Sequence, residues 1–139
     1  MTASRPRRPL IPRAHAAEYQ GAYVDIDPDN GFVLMRLTQF RSDVRARDAF
    51  DFCMEMYEEQ ALRTIVLDMR DARWPLQTAG LAARFREHAA RVPRSRVAVL
   101  CSEPGSEIMT AHREANIEAG HEVLYTDDED AAWVFILRR

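Results

Sequence analysis

Residues 64–101 read TIVLDMRDARWPLQTAGLAARFREHAARVPRSRVAVLC, and the two ends of this stretch decide the fold. Thr64 to Met69 and Arg96 to Cys101 are short, nearly continuous apolar runs, the pattern of strands covered on both faces. Between them Ala79, Ala82, Phe85, Ala89 and Val92 recur at helical spacing and stop before Pro93. Two buried strands joined through a helix lie parallel, because such a connection packs back on its sheet as a right-handed crossover.

The same alternation continues on either side. Toward the C-terminus, a helix from about Ser106 to Ala119 closes at Gly120, and His121 to Thr126 (HEVLYT) is a further strand. Thr126-Asp127-Asp128-Glu129 fits a capping box for a last helix, whose acidic start and Arg138-Arg139 end both suit its dipole. Toward the N-terminus, Ala22 to Ile26 (AYVDI) and Phe32 to Leu37 (FVLMRL) flank the turn formers Asp27-Pro28-Asp29-Asn30-Gly31, a hairpin. Ser42 suits the N-cap of a helix to about Gln60, with Ala46, Ala49, Phe50, Cys53, Met56, Tyr57 and Ala61 on one stripe. The order β-β-α-β-α-β-α-β-α predicts a single α/β domain over 18–139. Its sheet is mixed and mainly parallel, of about five strands with about four helices.

The chain has 139 residues with 47% hydrophobic and 29% charged positions, ordinary for one globular core. No apolar run is long enough for a transmembrane helix. Cys53 and Cys101 stand far apart without a CxxC pair, which suits a reducing compartment, so a cytoplasmic protein without metal or cofactor is expected. All 19 basic residues are arginine against 22 acids. Arg5, Arg7, Arg8 and Arg13 fall in an acid-free start with Pro6, Pro9 and Pro12. Residues 1–17 therefore read as a disordered basic tail, with electrostatic contact to an acidic partner or to the body as the alternative. The acidic remainder argues against nucleic-acid binding.

The layout, with IVLDMRDARW at 65–74, RVAVLC at 96–101 and VLYTDDEDAAWVFIL at 123–137, resembles the STAS domain, typified by bacterial anti-sigma-factor antagonists. It is still more similar to the divergent STAS-like group sometimes linked with CRAL-TRIO lipid-binding domains, over about residues 19–137. Asp130-Ala131-Ala132-Trp133 is similar to the family's Ala-x-Trp ending. The resemblance implies a regulatory or protein-binding module. Regulatory members carry a phosphorylated hydroxyl residue after the strand ending in aspartate, here Asp68, and Thr78 falls on that position. Leu76 and Gln77 stand where that element has an aspartate and a serine, and Thr78 equally suits a plain helix start.

For catalysis, Cys101 ends a strand ahead of a loop and helix, the layout of cysteine phosphatases and sulfur transferases. Glu107 occupies the position of the phosphatase arginine, and Glu103 adds a second negative charge; both oppose a thiolate and an anionic substrate. A buried structural cysteine is the simpler reading. The histidines His15, His88, His112 and His121 form no zinc motif, and His112-Arg113-Glu114 reads as an exposed polar patch. Arg70, Asp71, Arg73 and Trp74 follow a buried strand where open α/β sheets place ligands, and are the expected interaction surface. Met35, Met54, Met56, Met69 and Met109 suit a core, or the lining of a pocket for an apolar ligand. The preferred expectation is a non-catalytic module with a protein partner acting through Arg70 to Thr78. The alternative is a carrier of an apolar small molecule or lipid, and a Cys101 enzyme comes third. Self-association through the hairpin or the final helix stays open.

Overall fold

The computed structural model describes residues 8–14, 16–18, 22–38, 43–73 and 80–138. Its strands are β1 (Ala17–Glu18), β2 (Ala22–Asp27), β3 (Phe32–Leu37), β4 (Thr64–Asp68), β5 (Arg96–Leu100) and β6 (Glu122–Thr126). The helices are α1 (Asp43–Glu59), α2 (Leu81–Arg91), α3 (Glu107–Glu118) and α4 (Glu129–Leu137). All six strands form one sheet in sequential order. β1, β2 and β3 run antiparallel, and β3 through β6 run parallel. The expected α/β class and mixed sheet are present. The strand count rises from about five to six because β1, whose Ala17 faces Val24, is too short to show an alternation.

From β3 onward each strand is added on the same side of the last. Right-handed crossovers then place every connecting helix on one face of the sheet. That face packs Val33, Met35, Ile65, Val97 and Val99 against Ala49 and Cys53 of α1 and Met109 of α3. α2 docks on α3 through Leu81, Phe85, Ala89 and Ala115. The opposite face presents Phe32, Leu34, Val66, Ala98 and Leu100, which no crossover can cover. α4 covers it with Ala132, Trp133, Phe135 and Ile136, and Leu10 completes the cluster.

Here the structure departs from the disordered segment expected over 1–17, of which residues 1–7 and 15 lie outside the described residues. Leu10 is fully buried, and burying a leucine contributes about 1.5–3 kcal/mol. Trp133 Nε1 donates to the Arg8 carbonyl, and Leu10 N–H donates to Glu129. Arg13 grips the buried Asp25 through Nε (2.9 Å) and Nη2 (3.2 Å), and Arg8 pairs with Asp27 at 3.1 Å. Burial opposes the Asp27 carboxylate, yet hydrogen bonds from Asn30 and Arg8 hold its pKa below the usual value. The electrostatic contact with the body is the alternative realised for these residues.

α3 starts on Ser106, whose hydroxyl accepts from Met109 N–H, and closes on Gly120 at φ +90°. At α4 the expected reciprocal capping box is not formed. Asp128 is the N-cap and accepts from Asp130 N–H, while Thr126 Oγ1 accepts from Asp128 N–H. Glu129 is thereby free to turn to Leu10 and Arg70. The expected Ser42 cap lies outside the described residues.

Candidate functional site

Arg70 and Asp71 follow β4 as expected, but their charges are engaged within the chain. Arg70 donates twice to the buried Asp68, at 3.0 and 3.1 Å, once to Glu129 at 2.9 Å, and once to the Leu10 carbonyl. The Asp68 hydrogen bonds first, then the neighbouring negative charges, push its pKa well up. Asp71, exposed, pairs with Arg36. Arg73 is exposed. Trp74 and Thr78 lie outside the described residues. The structure thus brings Arg70 together with the N-terminal segment and α4, as a brace between β4 and the cover of that face.

Cys101 is buried at the end of β5 beside an open recess of about 220 Å³ shared with Met69, Arg70, Ser102 and Met109. Burial, then the charge of Asp127, pushes its thiol up. A nucleophilic thiol requires the opposite shift. Cys53, deeper in the core, is pushed up to about 12 by burial.

A different site lies between the sheet and its helices. A partly open cavity of about 80 Å³ is bounded by Met35, Ile65, Leu67, Met69 and Val97 of the sheet side. Phe50, Cys53 and Met54 of α1 and Phe85 and Ala89 of α2 form the opposite walls. Met35, Met54 and Met69 come to it from three different elements, and such long, unbranched side chains adapt to irregular spaces. Among the described residues the polar lining is His88, His112 and Asn116.

His112 corrects an expectation. Its neighbours Arg113 and Glu114 are exposed, but His112 itself is only 8% exposed and turns toward the sheet. Asn116, one turn later on α3, lies beside it. Tyr125 of β6 meets both: its hydroxyl contacts His112 Nδ1 and accepts from Asn116 Nδ2 at 2.9 Å. Asn116 Nδ2 also lies 3.3 Å from the His112 carbonyl and 3.3 Å from His112 Nδ1. Burial, with a smaller contribution from His88, pushes the His112 pKa down to about 4, so the ring is neutral at pH 7. Burial pushes the Tyr125 phenol up, so it keeps its proton. The signal for this trio was present in the sequence: Met109, His112 and Asn116 share one helical stripe, and Tyr125 alternates in phase with Val123.

Among the described residues no group of three or more His, Cys, Asp or Glu could hold a metal ion, and no helix is long and apolar enough to cross a membrane. Compared with protein-family models, curated proteins and solved structures, the chain matches none.

Proposed function

We propose that this protein is a non-catalytic binding module for a small apolar molecule, housed between the sheet and helices α1 to α3. The carrying observation is the cavity of about 80 Å³ with its methionine and phenylalanine walls. Ligand sites are typically apolar concavities with few polar groups, and dry apolar cavities bind small hydrocarbons without further help. Three methionines around the space let it adjust to the guest. Free Cys53 and Cys101 suit a reducing, cytoplasmic setting, and the raised Cys101 thiol supports a binding role over an enzymatic one. The STAS-like resemblance to a lipid-binding relative points the same way, as analogy. Protein recognition through the edge from Arg70 to Thr78 has less in its favour, since Arg70 and Asp71 are already paired internally.

The test is a titration with methylenecyclopentane, followed through the methyl resonances of Met35, Met54 and Met69. Saturable shifts of these three are expected, together with their loss in Ala89→Leu, which places a larger side chain in the cavity wall. Unmoved methionine methyls in the wild-type protein would contradict the proposal.

A further inference from the structure

The polar end of the cavity, at Asn116 and His112, specifies more than apolarity. The Asn116 side-chain nitrogen lies 3.3 Å from the His112 carbonyl, which can only accept, so the NH₂ group and not the amide oxygen must stand there. The same NH₂ donates to the Tyr125 oxygen and faces His112 Nδ1. A proton on Nδ1 would confront that NH₂ head-on. The Tyr125 hydroxyl, accepting from Asn116, has His112 Nδ1 as the acceptor for its own proton. Both contacts to Nδ1 therefore make it an acceptor, and the neutral ring carries its proton on Nε2.

His121 shows the complementary case in the same molecule. Its Nδ1 accepts from Ser95 N–H at 3.1 Å, and its Nε2 donates to the Ala89 carbonyl at 2.9 Å, so both nitrogens are satisfied. At His112 only Nδ1 has a hydrogen-bond partner among the described residues, while the ring itself borders the cavity. A donor facing a mostly apolar space gains from a guest that supplies the acceptor.

From this we infer that the ligand is an apolar molecule bearing one neutral hydrogen-bond acceptor, such as a ketone, aldehyde or ester carbonyl, which takes the His112 Nε2–H. This rests on the binding function proposed above. A carboxylate is disfavoured because, among the described residues, no arginine lines the cavity and the imidazole is uncharged. Asn116 and Tyr125 are positioning residues: they hold the donor in the tautomer that faces the guest.

The test compares cyclopentanone with methylenecyclopentane, two probes of one shape that differ in C=O against C=CH₂, by methionine-methyl titration of wild type and His112→Phe. The ratio of the two dissociation constants is expected to change by about tenfold in favour of the alkene on losing the donor. Equal ratios, with both probes bound, would overturn the inference and leave the binding function standing. Binding of neither probe would remove both. Tyr125→Phe, which frees Nδ1, is expected to weaken the preference for the ketone. The ring ¹⁵N spectrum of the wild-type protein decides independently of any variant's folding: an Nε2–H tautomer at His112 supports the inference and an Nδ1–H tautomer contradicts it.

Discussion

His112 also makes the protein's stability depend on pH. In the folded chain the imidazole titrates near 4, against the ordinary value of 6.5, because burial, and then His88, disfavours its charge. Between those values the unfolded chain holds the proton that the folded chain refuses, so acid favours unfolding. This contribution is complete above about pH 6.5 and is lost as pH falls toward 4, in total about 3 kcal/mol by linkage. Urea denaturation at pH 7 and pH 4.5 is expected to show the loss in the wild type and a smaller loss in His112→Phe; an equal loss in both would reject it. Cys101 offers a second check at this scale. With its thiol buried and pushed up, alkylation by iodoacetamide at pH 7 is expected to be far slower in the folded protein than in urea. Labelling as fast as in the unfolded chain would reopen an enzymatic role. The burial of His112 was hidden in the sequence by Arg113 and Glu114. Two exposed neighbours suggest an exposed patch, whereas the deciding relation is with Met109 and Asn116 on the next turns.

Elements differ in how openly they declare themselves. The apolar runs of β4 and β5 and the Gly120 stop of α3 are readable because each reports a local requirement: cover on both faces, or a left-handed residue. The segment from Arg8 to Ala14 is not readable that way, since prolines and arginines without periodicity signal an unstructured chain. Its position follows from a requirement elsewhere. One-directional winding leaves the Phe32 and Leu34 side of the sheet without a crossover helix, and β2 places the acids Asp25 and Asp27 on that side awaiting cations. Leu10→Ala is therefore expected to cost about 2–4 kcal/mol in urea denaturation, the loss for a buried leucine rather than for a tail residue. A change near zero would show that the segment does not seal the sheet. Arg70→Ala removes the main partner of the buried Asp68 and is expected to cost about 2 kcal/mol. If Arg70 serves an external partner instead, stability would be unchanged.

At the scale of the whole molecule, the two faces of one sheet have been given different tasks. The face under α4 and Leu10 is closed by large side chains and tied by the Arg8, Arg13 and Arg70 pairs. The face under α1, α2 and α3 carries the methionines and the cavity, with the His112, Asn116 and Tyr125 trio at one end. On the binding role proposed above, the methionines of this layer adjust to a guest. The measurement that bears on this most directly is a native mass spectrum of the protein taken from the cells that make it. A fraction carrying the added mass of one small molecule is expected, and that fraction should be absent from Ala89→Leu purified in the same way. A bare polypeptide mass for the wild-type protein, in charge states of the folded chain, would contradict it.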